Sequence, residues 1–341
     1  MGTPRILVLR PDRVGDVVLS TPVVEALRLR WPDAYIAVMA RPYTRDIWLE
    51  NPYIDQILTD DPNGENRGVS GFMRQIARLR AHRFDTALML LPTPRMAWML
   101  FLSGIPRRIG VGTKIYQFLT MTRSVSRNRY VPLRHEADYC LDLVRRIGAP
   151  ADRWRATIAL TEEERRQASE RLAAAGAVRR PWIGVHPGNG HSAPNWPPER
   201  YGELVRHLQR RFDATVVVTG QEEEAELIRR MNMETENRSI SFAGRLSLRQ
   251  LIGVIGEMDV FFSSSTGPMH IAAALRIPTV SLFCPLPVRS PQRWGPLSDR
   301  SITITPPDGP CATCERGPLC GLEEVGVDTV LAAVERQLFP S

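Results

Sequence analysis

Residues 259–285 read DVFFSSSTGPMHIAAALRIPTVSLFCP. The stretch divides into strand, tight loop, helix and strand. Val260–Phe262 and Thr279–Phe283 are apolar and β-prone. Between them, His270–Leu275 holds three alanines and a leucine, which favour helix. The loop Ser263-Ser264-Ser265-Thr266-Gly267-Pro268 supplies hydroxyls, a flexible Gly and a Pro near the first helical turn. A helix that starts there points free N–H groups and the positive end of its dipole into the space above the strand. An anion, commonly a phosphate, binds well in such a place. His270, one turn in, adds a possible donor. The plainer alternative is a connecting loop with a capped, half-buried histidine.

Outward from this stretch, the chain repeats the same alternation twice. Arg5–Arg10 (RILVLR) is a buried strand, Pro11–Gly15 a loop, and Asp16–Arg30 a helix. Strand-like runs follow at Ala34–Met39, Ile54–Leu58 and Thr86–Leu91, with helices at 43–50 and 70–82. Gly148–Leu160 is a linker, and a helix spans Glu162–Ala175. The pattern then restarts: strand Trp182–Val185, a loop from His186, a helix from Trp196-Pro197-Pro198 to Arg211, and strand Thr215–Thr219. Acidic Glu222-Glu223-Glu224 opens the next helix, and Ser247 caps Leu248–Glu257. Alternation of this kind builds parallel sheets covered by helices, with ligands bound beyond the carboxyl ends of the strands. Loops 186–195, 219–224 and 263–270 should therefore line one rim of one sheet, and Pro11–Asp16 is the matching loop of the first half.

The 341 residues suit two domains: 1–160, 161–323, and a C-terminal helix at 324–341 with apolar spacing for packing across a domain. No apolar run approaches the ~20 residues of a membrane span, and the N-terminus has no signal-peptide pattern. A cytosolic protein with reduced cysteines is expected. Net charge is +7, and the halves differ. Residues 1–160 hold 24 Lys+Arg and 15 Asp+Glu (+9), and residues 161–341 hold 20 and 22 (−2). The partner of the first half is anionic. The arginines lack interleaved aromatics, which argues against nucleic acid. Arg95–Gly104 is apolar between prolines: a core helix, or a surface helix touching acyl chains with Arg95, Arg107 and Arg108 on headgroups. Arg123–Arg134 reads as irregular. Cys311-x2-Cys314-x5-Cys320 supplies three of the four ligands of a closed zinc site, and free thiols or a disulfide are the preferred reading. Neither G-x-G-x-x-G nor G-x-x-x-x-G-K-[ST] occurs, which argues against a dinucleotide dehydrogenase and a Walker-type ATPase.

Four segments together resemble the family 9 glycosyltransferases, the bacterial heptosyltransferases of lipopolysaccharide core assembly. They are RILVLRPDRVGDVVLSTPVVEALR (5–28), GVHPGNGHSAPNWPPERYGELVRHL (184–208), FAGRLSLRQL (242–251) and SSSTGPMHIAAAL (263–275). The resemblance covers nearly the whole chain. It implies a GT-B fold: two Rossmann-like parallel-sheet domains facing across a cleft, donor on the second and acceptor on the first. It implies inverting, metal-independent transfer from ADP-L-glycero-D-manno-heptose to an anionic glycolipid, with no cofactor. It implies a cytoplasmic enzyme in transient contact with the inner face of the bacterial inner membrane.

Residue by residue, the resemblance makes Asp16 of the Gly15-Asp16 pair the general base. Alone, Asp16 would read as a helix-start carboxylate. Arg10, Arg13 and Thr21 are implied to meet the acceptor. Gly188 and Asn189 should approach the diphosphate. Glu222 should bind the ribose, although Glu223 and Glu224 are equal alternatives. Arg245 and Leu246 should flank the adenine, and Ser265, Thr266, Gly267 and His270 should hold the diphosphate. Two departures stand out. Pro194 replaces a lysine that many relatives carry two residues before Trp-Pro, leaving Arg289, Arg293 or His191 to supply its charge. Ser265 replaces an acid expected near the donor sugar, which puts the sugar's identity in doubt. The alternatives are a non-catalytic nucleotide-sugar or glycan-binding protein, and a transferase with another donor acting on a polysaccharide, a protein or a secondary metabolite.

Overall fold

The computed structural model describes residues 3–125, 133–152, 155–190, 194–233, 239–307 and 321–340. The chain divides into two compact units, 1–159 and 160–341. The second unit includes the last helix, Val327–Leu338, which packs on helix Pro198–Phe212 and on the middle of that unit's sheet. Its apolar stripe, Val330, Leu331 and Val334, is thus used inside one unit, so 324–341 is not a separate segment.

Unit 1 holds six strands: β1 (Arg5–Arg10), β2 (Tyr35–Ala40), β3 (Gln56–Thr59), β4 (Thr86–Met89), β5 (Arg107–Val111) and β6 (Arg123–Val125). Unit 2 holds β7 (Trp182–His186), β8 (Thr215–Val218), β9 (Ile240–Ser241), β10 (Val260–Ser264), β11 (Thr279–Leu282) and β12 (Ser301–Ile304). The sheet orders are β3-β2-β1-β4-β5-β6 and β12-β11-β10-β7-β8-β9. Every adjacent pair is parallel, with Leu7 opposite Ala37 and Ala87, and Phe262 opposite Val185 and Val280. Counted from its own first strand, each sheet has the doubly wound order 3-2-1-4-5-6. In that order the direction of winding reverses between β1 and β4, and again between β7 and β10. In sheets of this order, ligands bind beyond the carboxyl ends of those central pairs.

Burial on both faces fixes the sheets. In unit 2, Ile183, Val185, Val216, Val218, Val260 and Phe262 lie on one face with Tyr201, Leu204 and Leu208 of helix 198–212. Val217 and Phe261 point the other way and are also buried. In unit 1, Leu7, Leu9, Ala87 and Met89 meet Ile76 and Leu79 of helix Gly68–His82 and Met96 and Leu100 of helix Pro94–Leu102. Each fully buried side chain of this size contributes roughly 1.5–3 kcal/mol relative to exposure.

Three expectations change. Asp16–Arg30 is not one helix but two, Val14–Val18 and Pro22–Arg30. Pro22 has no N–H to give to the Val18 carbonyl, and that oxygen accepts from the Thr21 N–H and Thr21 Oγ1 instead. The Arg-rich run at 123–134 begins as edge strand β6, paired with Ile109–Val111, and 126–132 lie outside the described residues. The Arg95–Gly104 segment is a helix with both characters. It buries Met96, Ala97, Met99 and Leu100 and leaves Trp98 and Leu102 at the surface. Arg95, half-buried, makes a bidentate pair with Asp60 at 3.0 Å, and buried Arg108 Nε donates to the Thr120 carbonyl. No helix among the described residues is long and apolar enough to cross a membrane.

Candidate active site

The carboxyl end of β1 presents Arg10, and the chain turns through Pro11–Arg13 into helix 14–18. Asp16 sits in the first turn of that helix, at the switch point of unit 1. Its Oδ1 accepts a 2.7 Å hydrogen bond from Arg10 Nη2. The same Nη2 lies 3.3 Å from Asp12 and 3.5 Å from Glu136. Arg10 and Glu136 are 2% exposed, whereas Asp16 keeps 20% of its side chain open to solvent. Asp12 is similarly open at 22%, but Asp16 is the carboxylate held at hydrogen-bond distance by the buried cation.

Burial pushes the Asp16 carboxyl up to about 6; Arg10 pulls it back, and Asp12 and Glu136 push it up again. Arg10 is buried too, but Cys140 and the three carboxylates around it hold it protonated. A carboxylate with pKa near 6 is mostly ionised at neutral pH yet basic enough to take a proton.

The other residues expected to meet an acceptor are placed differently. Thr21 is fully buried, and its Oγ1 donates to the Val18 carbonyl and accepts from the Thr157 N–H at 2.9 Å. Arg10 is spent on carboxylates. Both are built into the protein; a strand-end arginine and a helix-start threonine look the same in sequence whether they face in or out. Arg13 is exposed at the N-cap of helix 14–18.

In unit 2, loops leave the carboxyl ends of the neighbouring strands β10, β7 and β8. After β10, Ser265 and Thr266 are half-buried and the helix Gly267–Ala274 begins. Thr266 makes no side-chain cap, so the first turn keeps its N–H groups for another acceptor. His270 is 5% exposed, one turn in. After β7, the loop is pinned by Asn195, whose Nδ2 donates to the Pro187 carbonyl at 2.6 Å and whose Oδ1 accepts from Tyr201 Oη at 2.7 Å.

Among the three glutamates, Glu224 is the one that turns inward. It accepts from the Gln221 N–H at 2.9 Å and the Gly190 N–H at 3.2 Å, and lies 3.8 Å from His186 Nε2. A Cβ on Gly188 would fall 1.9 Å from its carboxyl carbon. Glu224 thus clamps the β7 loop to the β8 loop, a role that three adjacent glutamates do not reveal. Burial pushes His186 down to about 4 despite Glu224, so it is neutral and exchanges a hydrogen bond with Thr219 Oγ1 at 2.9 Å. Glu222 is exposed, and its backbone packs against Gly244, beside exposed Arg245 and half-buried Leu246. Gly188 and Asn189 lie at the start of the clamped loop, buried and half-buried.

Of the residues considered as replacements for the missing lysine, Arg293 is 3% exposed, with its guanidinium 4.9 Å from the Trp294 ring, and Arg289 is exposed. His191, Cys311, Cys314 and Cys320 lie outside the described residues, and so do the zinc and thiol readings of the tail. Among the described residues, no group of three or more His, Cys, Asp or Glu is placed to hold a metal ion.

Residues 72–318 match the family model for glycosyltransferase family 9 (heptosyltransferase). The chain belongs to glycosyltransferase family 9. It is similar to the Escherichia coli lipopolysaccharide heptosyltransferase 2, 28% identical over 88% of this chain and 87% of that one. Its fold matches a Veillonella parvula family 9 glycosyltransferase (TM-score 0.87, 23% identity, 100% and 99% coverage). It also matches the E. coli ADP-heptose lipopolysaccharide heptosyltransferase II (TM-score 0.78, 23% identity, 98% of each chain). The protein is a glycosyltransferase with the paired Rossmann-like parallel-sheet domains of the GT-B class.

Proposed function

We propose that this family 9 enzyme transfers heptose from ADP-L-glycero-D-manno-heptose to the anionic core of a lipopolysaccharide-type glycolipid, in one inverting step without a metal. The observation that carries the mechanism is Asp16: a solvent-open carboxylate raised to about 6 and oriented by buried Arg10. An acceptor hydroxyl gives its proton to Asp16 as its oxygen bonds to the anomeric carbon. The bond from that carbon to the diphosphate oxygen breaks, and ADP leaves with the electron pair. A single displacement uses one base and inverts the centre. The leaving charge falls to the N–H groups at Thr266–Gly267 and to His270, which take the part a cation would play. Gly188 and Asn189 line the diphosphate, Glu222 takes the ribose, and Arg245 and Leu246 flank the adenine. The donor assignment is supported by the E. coli relative, an ADP-heptose enzyme by name. The acceptor assignment is supported by the +9 of residues 1–160, which suits a phosphate- and carboxylate-bearing glycan.

Ser265, standing where an acid is expected near the sugar, favours a second reading in which the donor carries another sugar. The test is ADP release with ADP-heptose and a heptose-deficient core acceptor, in the presence of EDTA, for wild type and Asp16→Ala. Turnover in wild type that the Asp16 variant retains in full removes Asp16 from the mechanism. No turnover with ADP-heptose, but turnover with another ADP-sugar, selects the second reading. EDTA sensitivity removes the metal-free step.

A further inference from the structure

Residues 66–135 carry thirteen Lys and Arg and one carboxylate, Asp85. That carboxylate accepts from the Arg5 N–H at 2.6 Å. The segment is therefore +12, and the rest of the chain totals −5. The same segment supplies the helices 68–82, 94–102 and Ile115–Leu119, which pack side by side over one face of the first sheet. Exposed apolar side chains gather on their outward sides. Phe118 is 84% exposed, Ile115 81%, Val69 80% and Met121 72%. Met73 and Leu119 are also exposed, and Trp98 and Leu102 partly so. Val69, Phe72, Pro94, Trp98 and Leu102 line an open groove of about 570 Å³ between the first two helices.

We propose that this face is a docking surface for an anionic lipid bilayer. Protruding apolar side chains enter the boundary between headgroups and acyl chains, and the surrounding cations meet headgroup phosphates. Lys114, Arg107 and Arg123 are exposed and flank the Ile115–Leu119 helix. The Trp98 indole lies where amphipathic rings settle at a membrane boundary. A second copy of the chain would set exposed Lys114, Arg107 and Arg123 against the same cations, so self-association on this face is opposed by charge. Nucleic acid would leave Phe118, Ile115 and Val69 in water. The three helices all start at the carboxyl edge of the sheet, the edge on which Asp16 lies. A bilayer docked here holds the sugar of an embedded acceptor at the level of the base. The surface rests on the glycolipid-acceptor reading above for which bilayer it meets; the contact itself is read from these side chains.

The test is co-sedimentation of the full chain with phosphatidylethanolamine–phosphatidylglycerol vesicles and with phosphatidylcholine vesicles. Wild type should bind the first, release in high salt, and ignore the second. Ile115→Ser/Phe118→Ser should weaken partitioning at least about tenfold, as removal of two exposed apolar anchors requires. Lys114→Glu/Arg107→Glu should weaken it independently. All four positions are exposed, and an unchanged thermal melt confirms folding for each variant. Undiminished binding by both variants, equal binding to both vesicles, or a change of oligomeric state in the serine variant would overturn the proposal. Transfer to a water-soluble core oligosaccharide should survive in both variants. Vesicle binding without transfer to any acceptor refutes the enzyme reading alone; transfer without vesicle binding refutes the docking surface alone.

Discussion

Asp16 Oδ1 and Arg10 Nη2 are 2.7 Å apart, yet the carboxyl is raised to about 6. Burial raises it, and the cation is shared with Asp12 and Glu136, which repel the Asp16 charge. Activity should therefore rise as pH climbs through about 6 and level off above it, because the base works ionised. Glu136→Gln removes one repelling charge and should move that limb to lower pH. Asp16→Asn should lower kcat by about 10²–10⁴-fold and abolish the limb. A pH–rate profile of the three proteins decides it. An unmoved limb in Glu136→Gln would show that the cluster does not tune the base.

The same shift predicts a stability signature. The folded-state pKa of Asp16 lies above its ordinary 3.8, so the folded protein binds the proton more tightly than the unfolded chain. That contribution is present in full below the ordinary value and is lost as pH rises through about 6. Asp16→Asn lacks it. Thermal melts at about pH 4 and about pH 7.5 should show the variant gaining on wild type at the higher pH, by up to about 3 kcal/mol. A constant difference between the two proteins at both pH values would refute the raised pKa.

Gly188 and Glu224 make a steric prediction. Alanine at 188 places a methyl where the Glu224 carboxyl now sits, so that side chain must swing away from the Gly190 and Gln221 N–H groups. The β7 loop loosens where the diphosphate is proposed to lie. Gly188→Ala should raise the donor KM about tenfold, as expected for a displaced binding loop, with little change in melting temperature. Glu224→Ala should mimic it, and the double variant should be no worse than either alone. Calorimetric titration with ADP checks the same ranking.

The central strands were plain in the sequence because β1, β7 and β10 each hold a short β-prone apolar core, Ile6–Leu9, Trp182–Val185 and Val260–Phe262, as strands buried on both faces do. The switch-point loops followed from their order along the chain. The strands beyond β4 in the first sheet were hidden. β5 is Arg-Arg-Ile-Gly-Val and β6 Arg-Ser-Val, and each is a strand because a neighbour offers a free edge, not because of its own composition. The break at Leu19–Thr21 was signalled by Pro22, but the apolar spacing on both sides concealed it. At the site, Asp16 was legible from its motif. The ring of carboxylates that tunes it was not, because Glu136 is 120 residues away in sequence and reaches Arg10 only through the fold. Nor could three consecutive glutamates be told apart before the turn at Glu222–Glu224 aimed one of them inward.

Thr21 separates a structural role from an acceptor role. Its hydroxyl is fully buried, gives its proton to the Val18 carbonyl and takes the Thr157 N–H. Valine has nearly the same shape but offers neither bond, so Thr21→Val leaves the Thr157 N–H unsatisfied in a buried place. That should cost about 1–3 kcal/mol, read as a lower denaturation midpoint with an unchanged denaturant slope. The acceptor KM should stay at the wild-type value, because the hydroxyl does not reach the solvent-open side of Asp16. Serine, which keeps the hydroxyl and drops only a methyl, should recover most of the loss. A variant with normal stability and a raised acceptor KM would return Thr21 to the binding surface that the sequence motif implied.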